Sequence, residues 1–285
     1  MNECIGNKYI FNQQTLPCSN FSKNYSDGNK LSIYEVVRVE DGIPAFINDH
    51  LSRLFNSLRL KNINISEKES TFIKNILILI RENNIRSGRI KIVLQFPEYP
   101  ENKYYKLFVY QIETTFPPDK FYKEGVKTIL CNAIRTTPNV KIVNTEARNK
   151  ANKKIKETGV YEALLLNPKG HLTEGSRSNL FFIKKDHIFT PHDANILQGI
   201  ARKNVIEICS KKEMDLIIKN IHYIELADFD TAFLTGTSPK VLPIRQINDL
   251  KFNVDNPLLR TLMKEYDKKL KINLAGIKKI YYNLI

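Results

Sequence analysis

A single acid, Glu174, stands after an apolar-flanked turn and directly before a polar knot, Gly175-Ser176-Arg177-Ser178-Asn179. A carboxylate in apolar surroundings costs free energy unless a cation answers it. Glu174 is therefore either the receptor for a cationic group or a partly exposed turn acid. Further on, Leu197-Gln198-Gly199-Ile200-Ala201-Arg202 leaves a loop and enters a helical pattern. Unused N–H groups at a helix start attract anions, helped by the helix dipole, and a glycine there lets the ligand approach the backbone. The same residues also make an ordinary turn. Thr235-Gly236-Thr237-Ser238-Pro239 ends an apolar strand with hydroxyls and N–H groups suited to phosphate oxygens, or with a capped turn. Arg53 offers a planar fork that pairs with phosphate, or a solvated helix arginine. Lys141 precedes a helix, and among so many lysines nothing local selects it. Read alone, these residues describe an anion-binding α+β protein and do not identify the anion.

The elements that must hold them follow from periodicity. Residues 32–39 (SIYEVVRV) read as a strand, Glu40–Pro44 as a hairpin turn and Ala45–Ile47 as a returning strand. Asn48 and Asp49 offer N-cap chemistry for a helix carrying Leu51, Leu54, Leu58 and Leu60. Ser66 opens a second helix with Phe72, Ile73, Ile76, Leu77 and Ile80 on its buried stripe. Strands are expected at 88–96 and 104–112. Pro117-Pro118 gives residues 117–123 the character of a linker between a small domain, 1–116, and a large one, 124–285. In the large domain we expect a strand from Val126 to Ile134, an irregular piece to Lys141 and a helix to about Thr158. Strands at 161–166 and 180–183 should flank the Glu174 turn. A helix is expected at 200–211, strands at 216–218 and 231–234, and a closing helix at 256–266.

Composition narrows the function classes. At 285 residues, with 42% hydrophobic and 26% charged residues, the chain has the profile of a soluble globular protein with a sizeable core. A formal net charge of +14 fits anionic small molecules, or mere drift in a Lys-, Asn- and Ile-rich proteome, better than nucleic acid, because the lysines are dispersed and no arginine-rich arm is present. Cys4, Cys18, Cys131 and Cys209 form no CxxC, and the five histidines form no HxH or HxxxH pair, so no metal is expected. The polar start MNECIGNKYIFNQQ lacks a signal-peptide core, and the apolar run Ile76–Ile80 is too short to span a bilayer. A cytoplasmic location, without membrane or nucleic-acid partners, is the expectation.

Taken in order, six segments resemble the fold-type-IV pyridoxal-phosphate enzymes: branched-chain and D-amino-acid aminotransferases and aminodeoxychorismate lyases. They are Tyr34-Glu35-Val36-Val37-Arg38; His50-Leu51-Ser52-Arg53-Leu54; Tyr161-Glu162-Ala163; Thr173-Glu174-Gly175-Ser176 with Asn179-Leu180-Phe181; Ile196 to Arg202; and Phe233-Leu234-Thr235-Gly236-Thr237. The resemblance implies a small N-terminal α/β sandwich and a larger, β-barrel-like C-terminal domain. It singles out Lys141, about twenty residues before the YEA strand, as the lysine that carries the cofactor as a Schiff base and shuttles the substrate proton. Burial and a cationic neighbour depress a lysine pKa, as that role requires.

The other roles are implied in the same way. Glu174 would hold the pyridine nitrogen protonated. Arg53, the N–H groups of Ile200 and Ala201 after Gly199, and Thr237 would hold the phosphate. Leu197 would pack on the ring, Tyr34 would line the substrate side, and Asn179 would support the Glu174 turn. The sequence departs from the family at Asn29–Ile33, where Gly-Asp-Gly is common, and at Glu146, where branched-chain enzymes tend to have tyrosine. It also lacks the Arg-x-His trap of D-amino-acid enzymes, leaving Arg89 or Lys91 to meet a substrate carboxylate. The implied activity is amino transfer between an amino acid, branched-chain-like or D, and a 2-oxo acid, by a homodimer. Aminodeoxychorismate lyase, with pyruvate elimination, and a non-catalytic basic anion-binding protein are the alternatives; Glu35 favours the transaminase over the lyase.

Overall fold

In the computed structural model, residues 3–26, 31–101, 104–143 and 145–281 are described. The departure at Asn29 and Lys30 therefore lies outside the described residues. The chain divides into two compact units, each built on one sheet. The first comprises residues Met1–Thr115, Val140–Val143 and Leu270–Ile285, and the second Phe116–Asn139 and Asn144–Lys269.

The first unit contains β1 (Ile5–Phe11), β2 (Gln14–Pro17), α1 (Phe21–Asn24), β3 (Leu31–Glu40), β4 (Ile43–Pro44), α2 (Ile47–Leu60), α3 (Glu69–Glu82), β5 (Ser87–Phe96) and β6 (Lys106–Ile112). Its antiparallel sheet has the order β2-β1-β6-β5-β3-β4. β5 is central and buried over most of its length, whereas β3 alternates strictly. Leu31, Ile33, Glu35, Val37 and Val39 are its buried set, and the period of two puts Tyr34, Val36 and Arg38 on the opposite face. On α2 the apolar positions Ile47, Leu51, Leu54 and Leu58 recur at helical spacing and are buried.

The expected strand at Ala45–Ile47 is not formed. Phe46 takes a left-handed conformation with φ of 51°, and the helix starts at Ile47. Neither Asn48 nor Asp49 is the cap; Phe46 occupies that position without a side-chain cap, and its N–H donates to Asn273 Oδ1 at 2.7 Å. The side-chain contact at this helix start thus comes from a distant amide, which receives the N–H of Phe46 itself.

The second unit contains α4 (Asp119–Glu124), β7 (Val126–Asn132), α5 (Glu146–Thr158), β8 (Glu162–Leu166), β9 (His171–Gly175), β10 (Asn179–Lys184), β11 (His187–Thr190), α6 (Ile200–Lys211), β12 (Leu216–Ile218), β13 (Ile221–His222), β14 (Thr231–Gly236), β15 (Lys240–Ile247) and β16 (Leu250–Lys251). The last helix, α7 (Pro257–Tyr281), belongs to this unit up to Lys269 and to the first unit from Leu270 on. The main strand order is β12-β11-β10-β14-β15-β7-β8-β9-β13. Most of the stretch read as a linker, residues 117–123, lies in α4, whose Phe121 packs edge-on against Tyr161. The closing helix runs to Tyr281 rather than to residue 266. Among the described residues, no helix is long and apolar enough to cross a membrane.

Candidate active site

In the second unit, Glu174 lies within β9 rather than in a turn, and only about 2% of it is exposed. Its Oε1 is 2.8 Å from the Nε of Arg135, whose side chain is itself buried. Its Oε2 accepts the N–H of Leu197 at 3.3 Å. The carbonyl of Leu197 in turn accepts from Asn179 Nδ2 at 2.9 Å. Asn179 therefore supports the approach to α6 and is linked to Glu174 through the Leu197 backbone. The same amide explains Gly199: a Cβ there would sit 1.9 Å from Asn179 Oδ1. Gly199 is the N-cap of α6 and has no side-chain cap. The N–H groups of Ile200 and Ala201 belong to the first turn, where no intrahelical carbonyl can receive them.

Arg202 anchors the loop that delivers this helix start. It is buried, donates from Nε to Thr190 Oγ1 at 3.2 Å and from Nη2 to the Pro191 carbonyl at 3.1 Å, and pairs with Asp193. Behind the Glu174 strand, Glu162 is fully enclosed. It accepts from Ser176 Oγ at 3.3 Å, Ser178 Oγ at 3.1 Å and the N–H of Arg177. Burial pushes its carboxyl above the usual range, against these bonds and the charges of Arg177 and Arg148. Gly175 is required here too, since a Cβ would lie 2.3 Å from Ser178 Oγ and 2.8 Å from Glu162 Oε1. Arg148, on α5, donates to the Ser176 carbonyl at 2.9 Å. Thr237 follows β14 in a turn, and the Thr235 hydroxyl is buried with no hydrogen-bond partner among the described residues.

In the first unit, Lys141 lies on a short segment that pairs with the free part of the β3 edge. The Tyr34 N–H donates to the Lys141 carbonyl, and the Val143 N–H to the Ser32 carbonyl, each at 3.0 Å. The Lys141 Nζ lies 4.8 Å from the centre of the Tyr34 ring. On the other face of β3, Glu35 accepts from Arg53 at both oxygens, each at 2.7 Å, and pairs with His50 Nδ1 at 2.8 Å. Burial raises the Glu35 carboxyl, but the Arg53 charge and the bonds from His50 and Arg53 outweigh it and hold it at about 2. His50 is lowered, first by burial and then by Arg53 and Lys141, against the pull of Glu35.

Lys91 is buried on β5, paired with Glu3 at 2.7 Å and lying 5.2 Å from the Tyr34 ring centre. Arg89 is instead tied to the Glu113 carbonyl at 3.0 Å. Glu146 begins α5, capped by the Thr145 hydroxyl. The sequence reading missed Arg135, Glu162 as a loop holder, and Glu3. The Glu162-Ala163 motif was the one available signal, because a charged residue entering an apolar strand implies buried partners.

Comparison with known proteins fits this geometry. The family described as amino-transferase class IV matches residues 32–247. D-alanine aminotransferase of Bacillus licheniformis is 28% identical over 223 residues, covering 76% of this chain and 78% of that protein. A probable branched-chain-amino-acid aminotransferase of Thermotoga maritima is 31% identical over 257 residues, covering 86% and 90%. The crystal structure of a branched-chain amino acid aminotransferase from T.th., with pyridoxamine 5'-phosphate, has a TM-score of 0.85 at 20% identity, covering 97% and 98% of the two chains. The family match spans most of the chain, both units included, and the protein belongs to the class IV aminotransferases, enzymes of amino transfer that depend on pyridoxal phosphate.

Proposed function

We propose that this aminotransferase moves the amino group of a branched-chain-like amino acid to a 2-oxo acid, with a D-amino acid as the alternative donor class. The observation that carries the reading is the linked set Glu174, Leu197, Asn179 and Gly199. One acid, one helix start and the amide between them are tied together within a single unit. These residues suit a phosphorylated pyridine. The glycine keeps the helix start open to an anion, the Thr235 hydroxyl is a buried polar atom awaiting a partner, and Glu174 is an anion matched to a protonated ring nitrogen. When bound, the cofactor supplies an electron sink for the substrate's Cα.

The protein's residues divide the remaining work. In the second unit, Glu174, paired with Arg135, receives the ring N–H. The N–H groups of Ile200 and Ala201 and the hydroxyl of Thr237 hold the phosphate, and Leu197 bounds the ring. In the first unit, Lys141 provides the amine that anchors the cofactor and then carries the proton to and from the substrate. Tyr34 lies against that amine and borders the substrate. Arg53, oriented by the two-oxygen grip of Glu35, lends its charge to the phosphate. Lys91 meets a substrate carboxylate, with Arg89 at the periphery. A cytoplasmic homodimer is the form in which we expect this activity.

The test is a half-reaction screen. Purified protein incubated with pyridoxal phosphate should gain the visible absorption of the lysine-bound cofactor, and Lys141→Ala should lack it. Each L- and D-amino acid is then mixed with the holoenzyme. Bleaching by branched-chain L-amino acids supports the leading reading, and bleaching by D-amino acids alone selects the alternative. A protein that stays colourless overturns both, and pyruvate released from aminodeoxychorismate without an amino acceptor would make it a lyase.

A further inference from the structure

Lys91 is an unusual residue for its position. It occupies the central strand of the first sheet, with a side chain about 8% exposed. An ammonium group there is costly without an anion. The anion comes from the N-terminal segment. Glu3, 46% exposed at its own side chain, places Oε1 and Oε2 at 2.9 and 2.7 Å from Lys91 Nζ. The buried Tyr110 completes the contact by donating its hydroxyl to Glu3 Oε2 at 3.0 Å. Ammonium and phenol therefore grip one carboxylate from two sides. Lys91 also lies 5.2 Å from the centre of the Tyr34 ring, the ring against which Lys141 rests its amine at 4.8 Å. A carboxylate pocket and the amine of Lys141 thus share one aromatic neighbour.

We propose that Lys91 and Tyr110 form a carboxylate subsite and that Glu3 is its tethered occupant, which a substrate carboxylate must displace. The inference rests on the proposed role of Lys91 at the substrate side. Both halves of the grip are suited to exchange. The host groups are buried and fixed on β5 and β6, while the guest rides on an exposed residue ahead of β1. Burial, with the nearby Tyr25 and Glu3, holds the Tyr110 hydroxyl well above its ordinary range, so it remains a donor for either carboxylate. A tethered competitor acts through its effective concentration, of millimolar order for short tethers. It therefore weakens every carboxylate ligand by a common factor and leaves the chemical step alone. Glu3 would set KM and not kcat.

The experiment uses holoenzyme and isothermal titration with 4-methylvalerate, alongside steady-state kinetics with a 2-oxo acid. Glu3→Gln keeps the shape of the side chain and removes its charge. It should tighten 4-methylvalerate by about tenfold and lower KM by a similar factor, with kcat unchanged. A chain lacking residues 1–3 should behave in the same way. In a Lys91→Met background, Glu3→Gln should change nothing, because host and guest act as a pair. Circular dichroism of each variant separates loss of fold from loss of the site. Equal affinity for 4-methylvalerate in wild type and Glu3→Gln, with cofactor absorption intact, overturns this inference alone. Absent cofactor absorption in the wild type overturns the proposed function instead.

Discussion

Glu35 shows how a residue away from the reacting atoms can set the acid limit of the first unit. It is wholly buried and answered by Arg53 and His50. Its carboxyl falls from an ordinary 4.5 to about 2 in the fold. Between those values the folded chain binds fewer protons at this group than the unfolded chain does. The stability it contributes is therefore complete above pH 4.5 and is lost as pH falls toward 2. Denaturant midpoints measured across that interval should drop in the wild type and stay flatter in Glu35→Gln. At neutral pH the variant should be weaker by about 3–5 kcal/mol, since the largely enclosed Arg53 loses the carboxylate that grips it with both oxygens. Arg135→Met does the same to Glu174 in the second unit, and it should weaken cofactor retention as well as stability. Glu174 was legible in the sequence because a lone acid beside apolar runs invites a question. Arg135 was not, because it sits in an irregular stretch and its partner is far along the chain. Glu3 was hidden for a related reason: it meets a lysine 88 positions away.

Among the elements, the start of α6 is the most sharply constrained by sterics. Gly199→Ala puts a methyl group where Asn179 Oδ1 now lies, so either the amide or the helix start must shift. Cofactor affinity should fall at least tenfold, about 1.4 kcal/mol, with the folding midpoint little changed. Titration of the apoprotein with pyridoxal phosphate measures it, and Asn179→Ala in the same background should restore part of the loss by vacating the space. On α2, Leu54→Ala opens a cavity under the sheet and should cost about 2–5 kcal/mol by urea denaturation. Periodicity found α2, α3 and α6 because an apolar stripe is a local property of the chain. It misread the entry to α2, where Asn48 and Asp49 have the right chemistry for a cap and Asn273, 227 positions on from Phe46, supplies the contact. It also placed Glu174 in a turn, since the β9 strand is short and polar at its end, and strand pairing rather than composition makes it a strand.

For the whole molecule, the segment Val140–Val143 belongs with the first unit although the chain on either side of it belongs to the second. The order of motifs, together with the family spacing, selected Lys141 from the sequence; that its backbone is bonded to β3 could be known only from the fold. Ligand binding should be felt globally. Pyridoxal phosphate at about a hundred times its Kd should stabilise the native state by roughly 2.7 kcal/mol, seen as a rise in Tm that Lys141→Ala reduces. The pairing of Lys141 with β3 has a consequence for exchange with solvent. The amide protons of Tyr34 and Val143 are both donated across that junction. They should exchange with deuterium slowly, and together, because a single local opening releases both. Their shared protection factor would then read directly how often the lysine segment leaves its seat, with no substrate in the tube.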